Sequence, residues 1–568
     1  MSRSILILGA GLMQRPAILA AKELGYRAVI ADANPCAPCV SLADYFAPVD
    51  LKDRDALVRL ADEVNARGDL AAVFTAGTDF SASVAYVAEH CGLAGHSYEA
   101  ALNASDKVRM RVCFSQAGVP SPAFVEVTGA QVASLADAAE RGLLELPKVV
   151  KPCDNMGGRG CRLVRTSGEF LPAVQEALRA SRTGRAILED YMDGTEYSID
   201  AIVCGGTLTV TGFADRHIQY PPYFIEMGHT LPSAASDRVK HELVSTFALG
   251  VRALGLRHGV AKADIKYTKR GAMIGEIAAR LSGGYMSGWT YPYASGVALT
   301  TLALRVALGE EPCELIERRV PLPYTPPESC AGATPPFSLF ELPCERVSAE
   351  RAWVSIPGTI RVVHGLDGET SGGESHYNAF GFVRDVLPRV GVGDTVRFPR
   401  NNVEKCGNVI ACAPTREEAV RAAQMVTSAV TLRLAPCDDA TDAFLAGRTA
   451  RDEGAFPPPA FPAALTAYEA AHDGDAASET ACVAIIPAAS PIGPLLPACL
   501  APFLAECDWN QLPLAAAVAR FDALCPRHGV LPADQFWRAL LRGSVQGALY
   551  VADRAACSAN DDVLAATT

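Results

Sequence analysis

The stretch Ala261–Gly284, A-K-A-D-I-K-Y-T-K-R-G-A-M-I-G-E-I-A-A-R-L-S-G-G, reads as two short strands joined by a turn at Lys269-Arg270-Gly271. Each strand carries one acidic residue, Asp264 on the first and Glu276 on the second. Pairing the strands brings carboxylates that are distant along the chain onto one face. Hard oxygen ligands so placed suit Mg²⁺, with Mn²⁺ as a substitute, because such an ion keeps waters and is shared with nucleotide phosphates. Arg280 follows Glu276 at an even spacing, so an extended chain keeps its guanidinium on the carboxylate's face. Gly283 and Gly284 then allow close backbone approach to a ligand. An ordinary hairpin with a surface salt bridge fits these residues equally well when they are taken alone.

Segments upstream add to the pattern. A helix begins around Ser105-Asp106-Lys107-Val108-Arg109-Met110-Arg111, capped by Ser105 or Asp106, and ends at Gly118-Val119-Pro120. In isolation Lys107 is a solvated helix lysine. Leu146–Pro152 and Cys161–Arg165 read as strands around Cys153-Asp154-Asn155-Met156-Gly157-Gly158-Arg159-Gly160. Gly157, Gly158 and Gly160 let such a loop fold its amide groups over phosphates, and Lys151 just before it is a point charge suited to phosphate oxygens. No G-K-(S/T) opens a helix here, so this is not a Walker loop; a plain hairpin turn is the competing reading. Ala186–Glu189 is a further strand, leading into Asp190-Tyr191-Met192-Asp193-Gly194-Thr195-Glu196. Carboxylates bounding an apolar turn suit a base-and-sugar site, although ordinary strand-edge acids look the same.

Together these residues resemble the ATP-grasp superfamily, and within it the carboxylate–amine ligases that share the fold of biotin carboxylase and the large chain of carbamoyl-phosphate synthetase. The resemblance implies that ATP lies between two α+β subdomains, with metal ligands on a late strand pair ending in an E-x-N-x-R-like motif. Asp264, Glu276 and Arg280 match that motif. Ala278 stands where the family carries Asn as an extra metal ligand, which leaves the number of ions open. The family opens its nucleotide domain with D-K-x-x-x-R and a following G-(I/V)-P, so Lys107 is expected at the phosphates. The glycine-rich loop is expected to be a mobile lid. Glu189 and the backbone of Asp190, Tyr191 and Met192 are expected at the adenine edge, and Glu196 at the ribose hydroxyls.

The chain has 568 residues, 49% hydrophobic and 20% charged, which describes a soluble, well-packed protein of several domains. A net charge of −12 without a long basic run argues against nucleic acid as a partner. The apolar run Ile5–Leu8 is too short for a signal peptide, and no run reaches membrane-spanning length. The 18 cysteines lack a spaced framework, so reduced thiols and a cytoplasmic location are expected. Cys36-Ala37-Pro38-Cys39 has no second pair to complete a zinc site and reads as a loop with two incidental thiols.

The first hundred residues alternate strand and helix, the pattern of a parallel doubly wound sheet: Ser4–Leu8, Arg27–Ala31 and Ala71–Thr75 as strands, Gln14–Leu24, Asp53–Arg67 and Ser81–Cys91 as helices. Gly9-Ala10-Gly11 with Asp32 suggests a dinucleotide fingerprint, but Gln14 occupies its third position and weakens it. In the family this preliminary domain contributes to the acceptor site, which makes Gly9–Gln14 and Thr75–Asp79 candidate loops. Arg216, His217 and His229 could face substrate or be structural. A proline-rich linker, Pro321–Pro336, precedes strands at Val354–Val363, Asp394–Phe398 and Asn408–Ala411 and a helix at Thr415–Val430. Pro357-Gly358-Thr359-Ile360 and Gly407-Asn408-Val409-Ile410 resemble the family's β-rich closing domain. The expected class is therefore α/β and α+β multidomain: a Rossmann-like preliminary domain over 1–104, an ATP-grasp domain over 105–320 with its lid at about 121–190, a β-rich closing domain over 337–434, and an alanine-rich helical tail over 435–568.

This reading predicts an ATP- and Mg²⁺-dependent ligase joining a small-molecule carboxylate to an amine through an acyl phosphate, with no membrane partner and a homodimer permitted. The rivals are a bicarbonate-phosphorylating enzyme and a nucleotide-binding sensor that has lost turnover. No second lid loop or biotin-acceptor motif supports the first, and Ala278 alone favours the second.

Overall fold

The computed structural model describes residues 3–66, 70–366, 381–447, 456–472 and 484–565. The chain divides into two compact units. The first comprises Met1–His217, Gly228–Glu350 and Cys412–Arg416. The second comprises Ile218–Met227, Arg351–Ala411 and Glu417–Thr568.

The first unit opens with β1 (Ser4–Leu8), α1 (Arg15–Glu23), β2 (Arg27–Ala31), β3 (Tyr45–Ala47), α2 (Arg54–Asn65), β4 (Leu70–Phe74) and α3 (Ser81–His90). Its four strands form a sheet in the order β3-β2-β1-β4, with β1–β2, β1–β4 and β2–β3 parallel. Every residue of β1 and β4 is buried, as helices on both faces require. Arg67, at the expected end of α2, lies outside the described residues. Gln14, at the weakened fingerprint position, has a specific use: its side chain pairs with both backbone groups of Ala76, Nε2 donating to the carbonyl at 2.5 Å and Oε1 accepting from the amide at 3.0 Å. The loops after β1 and β4 are thereby clamped together at the carboxyl ends of their strands.

Next come α4 (Tyr98–Ser105) and α5 (Lys107–Gln116), the latter capped by Asp106, whose side chain accepts from the amides of Val108 and Arg109. A small sheet follows from β5 (Phe124–Val127), β6 (Lys148–Pro152), β7 (Arg162–Val164) and β8 (Ala186–Asp190), ordered β5-β8-β6-β7 and backed by α6 (Val132–Glu140) and α7 (Ser167–Ala180).

A larger sheet then takes β9 (Gly194–Cys204), β10 (Thr207–Gln219), β11 (Ile225–Leu231), β12 (Gly259–Thr268) and β13 (Gly271–Ala278) in the order β13-β12-β9-β10-β11. Alternation divides its residues between faces. Tyr197, Ile199, Ala201, Ala263, Ile265 and Ile277 point to one side and pack on Leu243, Val244 and Phe247 of α8 (Asp237–Ala253). The other side carries charge. α9 (Tyr291–Ser295), α10 (Leu299–Ala307) and α11 (Cys313–Arg318) follow, and α10 packs into the core shared with α1 and β1.

In the second unit, β14 (Gly358–His364) pairs with β15 (Thr395–Val396) on one side and β16 (Thr431–Leu434) on the other. The strand expected over Val354–Val363 begins later than predicted. Val354 gives its amide and carbonyl to the side chain of Asn510, and Pro357 has no amide to donate. Likewise only Thr395–Val396 of Asp394–Phe398 is strand. Residues beyond 435 are built into this unit: Arg433 is held by Asp553, Gln546 donates to the Leu432 carbonyl at 2.7 Å, and Tyr220, Phe398, Phe456 and Trp509 share an aromatic cluster. Among the described residues every cysteine is a free thiol, and no helix is long and apolar enough to cross a membrane.

Candidate active site

The charged face of the large sheet is written by alternation along three strands. β9 presents Glu196, Ser198 and Asp200; β12 presents Lys262, Asp264 and Lys266; β13 presents Glu276. Asp264 lies opposite Glu276 on one side and Ser198 on the other. Lys262 faces Ala278 and Asp200, and Lys266 faces Glu196. The two carboxylates singled out from the sequence are thus direct cross-strand neighbours.

Cations crowd them. Lys262 Nζ lies 2.5 Å from Asp264 Oδ1, and Arg216 spans Asp264 at 3.1 Å and Glu196. Lys266 reaches Glu196 at 3.2 Å, and Lys107 reaches Glu276 at 3.7 Å. Although burial opposes ionisation of Glu276, Lys107, Lys262 and Arg280 hold its carboxyl below the usual range. Asp200 behaves oppositely: burial lifts it to about 6, only partly offset by Ser282, whose hydroxyl donates to it at 2.5 Å, and by Lys262. With five cations against four carboxylates, the cluster is left net positive, which suits an anionic nucleotide–metal complex.

Asp264 and Glu276 fit Mg²⁺ as hard oxygen donors on one face. Among the described residues no group of three His, Cys, Asp or Glu gathers, so an ion held by Asp264 and Glu276 would have to complete its shell from water or a bound ligand, which Mg²⁺ ordinarily tolerates.

Lys107 and Arg111 stand one helical turn apart on α5 and so share a face. Lys107 Nζ also donates to the Asn155 carbonyl at 2.8 Å, tying the helix to the glycine-rich loop. In that loop Gly157, Gly158 and Gly160 adopt φ of +69°, +75° and +66°, which L side chains rarely take. A Cβ on Gly160 would also lie 2.7 Å from that of Ala180. Asp154 accepts from the Ser181 hydroxyl, the Arg182 amide and the amide and hydroxyl of Thr183. Arg182 in turn pairs with Asp79 and lies over the Phe80 ring at 5.5 Å. The loop after β4 is therefore strapped to the glycine-rich loop.

Glu189 is buried on β8. Its carboxylate is 1% exposed and gripped by Arg111 Nε at 2.7 Å and Lys151 Nζ at 2.8 Å. Against the penalty of burial, Arg111 and Lys151 hold its pKa at about 2. The two cations supply the opposite charge at contact distance that a buried carboxylate needs. Asp190 is taken by Lys148. Lys266 lies 5.3 Å over the Tyr191 ring and donates to the Met192 carbonyl at 3.2 Å. The Met192 methyl lies 3.6 Å from where a Cβ on Gly275 would sit.

Of the weaker candidates, only Arg216 joins the cluster. His217, its neighbour on an extended strand, points to the opposite face and meets Thr230 Oγ1 at 3.0 Å. His229 is buried with Nδ1 2.9 Å from Glu350. Gly283 approaches backbone rather than open space: a Cβ there would lie 3.4 Å from the Gly77 carbonyl oxygen, and the Gly77 amide donates to the Leu281 carbonyl at 3.2 Å. Gly284 takes φ +63° beside it. Arg280 is reached differently than predicted, since β13 ends at Ala278 and strand alternation no longer applies. It is 7% exposed, close enough to Glu276 to lower its pKa, and Nη1 donates to the Leu281 carbonyl at 2.9 Å. Sequence reasoning overlooked Lys262 and Lys266, which alternate with Asp264, and Arg111, one turn beyond Lys107.

Comparison with known proteins identifies two domains. Residues 144–288 match the ATP-grasp domain, and residues 352–435 match the L-amino acid ligase C-terminal domain 2. An uncharacterized protein of Sinorhizobium fredii is 25% identical over 440 residues, covering 75% of this chain and 82% of that one. Carnosine synthase 1 of Gallus gallus is 28% identical over 332 residues, covering 55% of this chain but 36% of that protein. Among solved structures, an L-amino acid ligase from Bacillus licheniformis has the same fold, with a TM-score of 0.61 at 18% identity over 76% of this chain and 99% of that chain. The chain thus combines an ATP-grasp domain with an L-amino acid ligase C-terminal domain, the make-up of an enzyme that forms C–N bonds.

Proposed function

We propose that the protein joins the carboxylate of one amino acid to the amine of a second small molecule, through an acyl phosphate, with release of ADP and phosphate. The observation that carries this reading is the charged sheet face, where Asp264 and Glu276 stand side by side among Lys107, Lys262, Arg216 and Arg280. The match to an L-amino acid ligase domain supports amino acids as substrates. Mg²⁺ held by Asp264 and Glu276 would neutralise charge on the β- and γ-phosphates.

The chain's own residues bind and orient. Lys107 and Lys151 hold phosphate oxygens, and the glycine-rich loop covers them and excludes water, which would otherwise hydrolyse the intermediate. A carboxylate oxygen of the first substrate attacks the γ-phosphorus as the bond to ADP breaks. The amine nitrogen then attacks the acyl carbon, the carbon–oxygen bond to phosphate breaks, and the nitrogen gives up a proton to the departing phosphate or water. Arg280 steadies the carboxylate and the tetrahedral intermediate. Both steps need positioning and charge neutralisation, not a nucleophilic side chain. The backbone of Asp190, Tyr191 and Met192 would meet the adenine edge, and Glu196 would accept from the ribose hydroxyls.

Anion-exchange chromatography during turnover with pairs of amino acids tests the reading. ADP and phosphate should appear together and only with a carboxylate substrate present. AMP and pyrophosphate appearing in step with product would sink it.

A further inference from the structure

Arg280 and its neighbour Ala279 also wall a cavity of about 60 Å³. Its other walls are largely apolar: Phe74 at the end of β4, Val84, Ala85 and Ala88 on α3, and Ala303 on α10. One water needs roughly 10–15 Å³ of such space, so the cavity is sized for about four waters or a side chain of about four heavy atoms. It lies by the loop after β4, at the carboxyl end of a parallel strand where open α/β sheets take their ligands.

Besides Arg280, the wall carries the polar residues Thr75, Ser81, His258 and His96. His96 Nε2 lies 2.9 Å from the Val260 carbonyl, which can only accept, so this nitrogen carries the proton. Nδ1 is then a bare acceptor, and it is buried without a hydrogen-bond partner. Burial keeps the ring neutral, with a pKa of about 4. A buried acceptor lacking a donor is rare in folded proteins and marks a place that a donor from outside would fill.

We propose that this cavity is the side-chain pocket for the amino acid whose carboxylate meets Arg280, and that it selects small uncharged side chains, of the class of serine, threonine, alanine and valine. The inference rests on the ligase reading above. Volume excludes aromatic side chains, and because Arg280, the cation in the wall, is taken by the substrate's own carboxylate, a charged side chain would be stripped of water without a counter-ion. Within the class, a hydroxyl is favoured over a methyl because it alone donates to His96 Nδ1.

The test is a panel of amino acids assayed for ADP release with saturating MgATP and a fixed amine, together with titration calorimetry of each amino acid into the protein loaded with MgADP. Threonine and serine should exceed phenylalanine and tyrosine by about tenfold or more in kcat/KM, since even one methylene beyond what such a pocket holds is worth about 10–200-fold. Ala85→Val and Ala303→Val, each narrowing the cavity, should raise the KM for threonine by about tenfold while leaving that for glycine within about twofold. His96→Leu should erase the preference for threonine over valine. Efficient use of phenylalanine by the unaltered protein would overturn the assignment without any variant. So would unchanged threonine KM in either valine variant that still binds MgADP. If MgADP binds and no amino acid elicits ADP release, the ligase reading itself falls, an outcome distinct from an unchanged size profile.

Discussion

Glu189→Gln separates a structural clamp from a nucleotide contact. The wild-type carboxylate is buried between Arg111 at 2.7 Å and Lys151 at 2.8 Å, and its pKa is lowered from 4.5 to about 2. At 1.36 kcal/mol per unit, that depression corresponds to about 3 kcal/mol of folded-state stabilisation. Independently, removing one partner of a buried ion pair typically costs about 3–5 kcal/mol, because the remaining charge stays buried. The amide can accept from one cation but neutralises neither. For a unit of this size about 3 kcal/mol lowers the melting temperature by about 4 °C. The pH dependence has a definite sign. A depressed carboxyl contributes fully above about pH 4.5, and its contribution is lost as pH falls towards 2. The variant should therefore melt lower at neutral pH, with the difference closing in acid. Differential scanning calorimetry at pH 7 and at pH 3 measures both, and calorimetric titration with MgADP reports the nucleotide site. A melting temperature within about 1 °C of wild type at pH 7, with nucleotide affinity lost, would refute the clamp and return Glu189 to the adenine edge.

Glu276→Gln should reduce Mg²⁺-dependent ADP formation by about 100-fold or more while the protein stays folded, because an amide is a poor ligand for a hard cation; a Mg²⁺ titration of the variant checks it. Gly160→Ala should destabilise by about 1–3 kcal/mol from the left-handed φ and the contact with Ala180, read in thermal melts, and should weaken MgATP binding in parallel. Truncation after Leu434 removes Asp553 from Arg433 and Gln546 from the Leu432 carbonyl. The truncated chain should show the melting transition of the first unit only, while retaining MgADP affinity within about threefold; loss of nucleotide binding in a folded first unit would contradict the site.

What was legible in the sequence was whatever depends on local period. The hairpin of β12 and β13 could be read because acidic and apolar residues alternate along it; the same alternation puts Lys262 and Lys266 on the face of Asp264, a signal that was there to be read and was overlooked. The glycine-rich loop was legible because a run of left-handed residues needs glycine. The partners of buried charge were not legible. Nothing near Glu189 in sequence names Arg111, and Gly283 reads as ligand space until Gly77 fills it. Arg280 was placed by an alternation that stops at Ala278, two residues too early. His217 and His229 were ambiguous because a histidine on a strand gives no sign of which face has a partner. The region beyond 435 looked like a separate tail because its contacts with Val354, Leu432 and Arg433 are all long-range.

The strap from Asp154 through Arg182 to Asp79 and Phe80 has a thermodynamic corollary. Whatever fixes the glycine-rich loop also fixes the loop after β4, so if that loop holds a substrate, as proposed above, its ordering entropy is partly spent before the substrate arrives. Linkage then demands symmetry: if nucleotide tightens the acceptor's binding by some factor, the acceptor tightens the nucleotide's by the same factor. Breaking the single ion pair, by Arg182→Gln, should bring both factors towards unity together, leaving two sites that fill in any order and without regard to each other.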